Sequence, residues 1–291
     1  MPLGFVGRAR ELAVLRESVG SARAGQPQFV LVEGEGGCGK TSLLRAFQES
    51  LSGASLALAS GDEAEAGLHY GVLDEFARQL GQASQSAAWQ LRDRGDPFAM
   101  GAAFLRLLEH ASRSAPLVLT LDDAHLADGP SMAALTFAAR RLQADPVVVV
   151  LIARDDGVQQ LPPGLLRLIQ HRGTRIALAG LSVDEVQQLG PAVSLGQLST
   201  QAATRLRDHT GGNPLHLRAL LSELTFEQAE TLDTPLPCRA RWPRSCSGLS
   251  RPPRPRRSNS PRRRPYSAPA RPCPSPQPSR VWTTPARPRT N

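Results

Sequence analysis

Apolar residues along this chain fall into two patterns. Short, nearly continuous aliphatic runs occupy Gln28-Phe29-Val30-Leu31-Val32-Glu33, Pro116 to Leu121 and Val147 to Ala153. Each run ends at a glycine-rich or charged turn, which is how a buried parallel strand reads. Elsewhere apolar residues keep helical spacing: Leu43, Leu44 and Phe47 share one face after Thr41, and Leu215, Leu217, Leu220, Leu221 and Leu224 follow Pro214. Asn213 is suited to cap that last helix and Pro214 to open it. Ser182-x-x-Glu185 has the form of a capping box before another helix. Buried runs alternating with helices predict an α/β fold, a parallel sheet flanked by helices.

The turn after the first run carries chemistry. It reads Gly34-Glu35-Gly36-Gly37-Cys38-Gly39-Lys40-Thr41, with Ser42 next. This is GxxxxGK[ST], with a strand before it and a helix after it. The glycines let backbone N–H groups converge on phosphate oxygens, and the helix N-terminus adds partial positive charge. Lys40 can place a point charge between β- and γ-phosphates, and the Thr41 hydroxyl can ligate Mg²⁺. Cys38 sits at a variable loop position, as a small residue or as a redox-sensing thiol.

The second run delivers Asp122 and Asp123 at its C-terminal end, where ligands sit in open α/β sheets. Asp122 is placed to hold Mg²⁺ and Asp123 to orient or deprotonate an attacking water. Asp123 is one methylene shorter than glutamate, which points to slow hydrolysis. The third run ends at Arg154, where a polar side chain can sense a γ-phosphate. The candidate catalytic residues are thus Lys40, Asp123 and Arg154.

Charge changes the picture of the chain's end. The net charge of +8 over 291 residues averages two unlike parts. Residues 238–291 carry 14 Arg, 13 of the 25 Pro and no acidic residue, against 20 basic and 26 acidic residues before them. From the Leu/Ile/Val/Phe set that tail has only Leu249 and Val281, too little apolar surface to offset ordering. It is expected to be disordered. Lys40 is the only lysine; every other basic position uses arginine. The four cysteines, Cys38, Cys238, Cys246 and Cys273, form no CxxC pair and suggest neither a zinc site nor a disulfide framework. The longest apolar run is far shorter than the ~20 residues needed to span a bilayer, and the N-terminus lacks a signal peptide's pattern. A cytoplasmic protein with no membrane partner is expected.

Three further stretches carry a resemblance. Phe5-Val6-Gly7-Arg8-Ala9-Arg10-Glu11-Leu12 resembles the hhGRxxEL box that opens many AAA-like signalling ATPases. Asp122-Asp123-Ala124-His125-Leu126-Ala127-Asp128-Gly129-Pro130-Ser131 resembles the extended Walker B element of the N-terminal ATPase domain in large LuxR-type transcriptional regulators, with Leu126 in place of the usual Trp. Thr210-Gly211-Gly212-Asn213-Pro214-Leu215 is similar to the glycine–proline motif of the signal-transduction (STAND) ATPase class. The resemblance implies an ATP/ADP switch with Mg²⁺, a P-loop AAA core over 1–180, a small helical lid over 181–235 and self-association in the ATP state as one outcome. Arg8 would lie near the base or ribose, and Pro214 would touch the base from the lid. DNA binding would belong to a C-terminal domain not evident in this chain. His125 falls in the motif as a structural residue.

Other readings are weaker. A GTPase normally carries NKxD to read guanine, and the single lysine rules that motif out. A scaffold that binds nucleotide with negligible turnover stays open. So does nucleic-acid binding through the arginine-rich tail, with Tyr266 or Trp282 stacking on bases. A more pointed account is a frameshift near Pro237. Read one base earlier, the codons of Cys238, Trp242 and Cys246 each become NTG, an apolar codon, at spacings close to a helical period. An amphipathic helix displaced out of frame is therefore the expectation for residues 236–291.

Overall fold

The computed structural model describes residues 5–84, 96–192 and 196–224, all within one compact unit. The arginine-rich tail and residues 225–235 lie outside the described residues. The described chain is an α/β fold, as the run pattern predicts. It contains α1 (Ala9–Arg23), β1 (Gln28–Gly34), α2 (Lys40–Ser50), β2 (Ser55–Ser60), α3 (Gly71–Ser84), α4 (Pro97–Ala111), β3 (Leu117–Asp122), α5 (Gly129–Ala139), β4 (Val147–Arg154), α6 (Pro163–Arg172), β5 (Thr174–Leu178), α7 (Val183–Ala192), α8 (Thr200–Thr210) and α9 (Pro214–Glu223).

The five strands form one sheet in the order β2-β3-β4-β1-β5, every neighbouring pair parallel. The three strands visible as apolar runs are the three in the middle. They are buried on both faces, which is why they read as continuous runs and do not alternate. Successive side chains point to opposite faces. Phe29 and Leu31 of β1 join a core with α3, α4, α5 and α6. Val30 and Val32 join a second core under α1 and α2. The edge strands β2 and β5 are half exposed. The outer edge of β2 is closed by a side chain: the Gln79 carboxamide accepts from Leu58 N–H at 2.8 Å and donates to the Leu58 carbonyl. That pairing blocks a row of backbone groups that could recruit another strand.

Helices α7, α8 and α9 bury a third, separate cluster built from Leu181, Val186, Leu189, Leu198, Ala203, Leu206, Leu217, Leu220 and Leu221, joined by Val6 from the N-terminal segment. The expected capping box opens α7: Ser182 N–H donates to Glu185 Oε2 at 2.8 Å, and Glu185 N–H donates to Ser182 Oγ at 3.3 Å. Asn213 caps α9 through Leu215 N–H. Leu215 differs from its expected place: it is 43% exposed and stands outside the cluster its spacing suggested. Among the described residues no helix is long and apolar enough to cross a membrane.

Leu31 lies at the centre of the central sheet and is fully buried. Replacing it with alanine removes buried methyl groups and leaves a cavity that rigid strands close poorly. Leu31→Ala is expected to cost about 2–5 kcal/mol of stability, read as a lower midpoint of urea unfolding at unchanged slope.

Candidate functional site

The sheet order puts three strand tips side by side. β4 lies between β1 and β3, with Gly34 in register with Arg154 at the C-terminal edge. From that edge the glycine loop runs into α2, which begins at Lys40. Of its four glycines, Gly37 and Gly39 take positive φ, 79° and 97°, a conformation that L side chains adopt only with strain. Lys40 is 8% exposed. Its ammonium donates to the Gly34 carbonyl at 2.6 Å and the Glu35 carbonyl at 2.8 Å.

Asp122 ends β3 and meets this loop across β4. Its Oδ2 accepts from the Thr41 hydroxyl at 2.9 Å, and its Oδ1 accepts from Asp123 N–H at 3.0 Å. Octahedral Mg²⁺ holds oxygens at ~2.0–2.1 Å, so adjacent ligands stand ~2.9 Å apart. The Thr41 and Asp122 oxygens already have that spacing, and the pair could hold the ion. Asp123 leaves the strand with φ 45° and opens a 3₁₀ turn, which aspartate tolerates better than most residues. Asp123 and Arg154 both line the cavity described below. The Arg154 Nε lies 3.5 Å from the Asp156 carboxylate.

Arg8 is 6% exposed and ties four segments together. Its guanidinium donates to the Cys38 carbonyl at 3.1 Å, the Ala179 carbonyl at 2.5 Å and Glu11 at 3.3 Å. Its own N–H donates to Glu185 Oε1 at 3.1 Å. Glu185 thus completes a local cap and receives the N-terminal segment. Burial alone would raise its pKa. The N–H donors of Ser182 and Arg8, the Ser182 hydroxyl and the Arg8 charge outweigh that and hold it below its ordinary value. Burial pushes the Cys38 thiol up, more than nearby Lys40 and Arg8 lower it. The protonated thiol is a poor nucleophile, and this tells against a redox-sensing Cys38.

These residues surround a cavity of about 600 Å³, within the range of small-molecule sites. The loop and polar lining is Gly36 to Ser42, Asp123 and Arg154. The apolar lining is Phe5, Val6, Leu181, Leu189, Pro214 and Leu215, with Pro214 and Leu215 beside the glycine loop. Arg8, Arg45 and Arg218 also line it. The structure therefore brings Gly36, Gly37, Cys38, Gly39, Lys40, Thr41, Ser42, Asp123, Arg154, Arg8 and Pro214 around one cavity; Gly34 and Asp122 are not in its lining and join it through bonds to Lys40 and Thr41. It adds the apolar wall and two arginines, for which the sequence carried no motif.

Two residues of the Asp122–Ser131 segment have roles that were not foreseen. Asp128 is 3% exposed and accepts from Ser131 N–H at 2.8 Å, Tyr70 N–H at 2.9 Å and Val72 N–H at 3.3 Å. Ser131 Oγ accepts from Leu73 N–H at 3.1 Å. One carboxylate so caps α5 and anchors the start of α3. His125 packs its ring against Gly157, where no side chain would fit. Burial lowers its pKa, consistent with a neutral packing residue.

A model of the AAA ATPase domain matches residues 4–150, about half of the chain. The chain belongs to the AAA ATPase family. No curated protein matches it. Among solved structures, this AAA ATPase is similar to the ORC2 protein of Aeropyrum pernix (17% identity, 78% of this chain and 68% of that one, TM-score 0.52). It is also similar to Cdc6p of Pyrobaculum aerophilum (20% identity, 75% and 60%, TM-score 0.50). RuvB of Thermotoga maritima shares 19% identity over 75% of this chain, with a TM-score of 0.46, and the matched part spans 61% of that protein's length. Identities this low show a shared fold.

Glu185 gives a pH test. Its carboxyl has a folded-state pKa below the ordinary 4.5, so its contribution is present above that value and is lost as pH falls through the folded pKa. Wild type and Glu185→Gln should differ most in urea stability above pH 4.5. The two should converge in acid; a constant difference across the series contradicts the assignment.

Proposed function

We propose that this AAA ATPase binds ATP and ADP with Mg²⁺ and hydrolyses ATP slowly as a conformational switch. The observation that carries it is the Thr41–Asp122 hydrogen bond. It places a hydroxyl and a carboxylate at Mg²⁺-ligand spacing beside a lysine-tipped glycine loop. The ion, when bound, neutralises phosphate charge. Gly34, Gly36, Gly37, Cys38, Gly39, Lys40, Thr41 and Ser42 cradle the phosphates. Asp123 positions the attacking water and accepts its proton, and Arg154 senses the γ-phosphate. The apolar lining of the cavity suits a purine, with Pro214 against the base and Arg8 near the base or ribose. The ORC2 protein to which the fold is similar was solved as ADPNP–ADP complexes, which supports the ligand class.

In this reading residues 1–180 are the nucleotide-binding core, 181–235 the lid and 236–291 an arginine-rich tail. The role is that of the ATPase part of a LuxR-type, STAND-class transcription regulator in the cytoplasm. The motifs at Arg8, Asp122–Ser131 and Thr210–Leu215 support it, because the structure gathers all three around the cavity. A scaffold with negligible turnover is the second reading. It is favoured by the short Asp123 side chain at the position of the water-activating carboxylate.

Lys40→Ala should abolish ATP binding in a calorimetric titration, and unchanged affinity would refute nucleotide binding at the loop. Asp123→Asn should keep ATP affinity and lower turnover about 10²-fold or more, the usual scale of general-base catalysis. Wild-type turnover no higher than that of a protein-free blank would establish the scaffold reading, and measurable turnover unchanged in Asp123→Asn would remove the role given to Asp123.

A further inference from the structure

The cap of α9 does more than a cap requires. Asn213 is 5% exposed, and both ends of its carboxamide are engaged. Oδ1 accepts from Leu215 N–H at 3.0 Å, and Nδ2 donates to the Gly36 carbonyl at 2.9 Å. An N–H on one side and a carbonyl on the other fix which end of the amide is which. Leu215 N–H also stands 3.3 Å from the Gly37 carbonyl. Two successive carbonyls of the glycine loop are therefore turned toward α9. In a trans peptide the C=O and the following N–H point in opposite directions. Holding the Gly36 carbonyl toward α9 turns Gly37 N–H away from it. The approach is tight: a Cβ on Gly37 would lie 2.8 Å from Leu215 Cβ and 3.0 Å from Asn213 Oδ1.

We propose that Asn213 is a positioning residue for nucleotide binding: by holding the Gly36 carbonyl it keeps the glycine loop in its phosphate-receiving orientation and couples nucleotide affinity to the docking of α9. This rests on the reading of the loop as an ATP site. An N-cap needs only an acceptor, which serine and aspartate provide about as well as asparagine. Of the three, only the amide carries its acceptor and its donor on separate atoms, so that one holds α9 while the other reaches the loop; aspartate has no donor, and a serine hydroxyl has a single, shorter-reaching atom for both tasks. A residue present merely as a cap would be interchangeable with Ser; a residue that orients the loop would not.

The test compares the full chain with its Asn213→Ser and Asn213→Asp variants. It measures Kd for ATP and for ADP by calorimetry, KM and kcat, and the melting temperature. Both variants should melt within a few degrees of wild type, because the cap is retained. Kd and KM should rise about five- to tenfold in both, the scale of one lost hydrogen bond, with kcat at saturating ATP within about twofold. Wild-type affinity in Asn213→Ser overturns the proposal. Weakening in Asn213→Asp alone overturns it too, since that is repulsion between a carboxylate and phosphate. If the Asp variant does not fold, the neutral Ser variant carries the test. If wild type binds neither nucleotide, the ATP reading itself fails. Wild-type binding that survives in both variants removes only the role given to Asn213.

Discussion

Three adjacent strands that are apolar along almost their whole length set the rest of the structure. β1, β4 and β3 are covered on both faces, so apart from Thr120 and the strand ends their side chains are apolar. Charged groups appear only toward the strand ends. Parallel pairing then forces all three tips to one edge. Gly34 and Arg154 end up in register, and Asp122 ends the third strand beside them. The concentration of charge at one edge follows from the dryness of the sheet. It also explains why Thr41, at the start of α2, meets Asp122 from a strand two places away.

The same constraint decides what could be read from sequence. A strand buried on both faces announces itself as an apolar run, and the central three were visible for that reason. β2 and β5 were not, because Ser55–Ser60 and Thr174–Leu178 mix exposed and buried positions and a short mixed run has no distinctive period. The strand order was not legible either, since register between strands lies in no local pattern. At the site, the glycine loop and Asp122 were legible because phosphate and Mg²⁺ demand particular residue types at fixed spacing. Asp128 was quoted within a motif, but nothing in one sequence shows a carboxylate accepting from Tyr70 and Val72 N–H. Backbone donors have no letter in the sequence. Glu185 was read as half of a capping box, and the half that reaches Arg8 was hidden for the same reason.

Those hidden contacts have a common form. Arg8, Glu185, Asn213 and Asp128 each join segments far apart in the chain through a backbone group. Arg8 reaches the carbonyls of Cys38 and Ala179, and Asn213 reaches that of Gly36. Backbone carbonyls move only when the chain moves, so such bonds report loop conformation more directly than side-chain pairs do. Helices α7–α9 have their own apolar cluster, and Glu185, Asn213 and Leu215 bond from them to the N-terminal box and the glycine loop. Directional bonds of this kind tie an element with its own core to the glycine loop.

The lone lysine fits this logic. The Lys40 ammonium is nearly buried between the carbonyls of Gly34 and Glu35. An ammonium is a compact point charge on a flexible stem with three rotatable donors, whereas a guanidinium is a rigid planar fork. The space between two successive carbonyls of a tight loop suits the first. An ammonium there can rotate from carbonyl to phosphate without rebuilding the loop, and a guanidinium would need the loop to open. Arginine serves at every other basic position, including Arg8, Arg45, Arg154 and Arg218 around the cavity, because none of them has to sit inside the loop that turns around it.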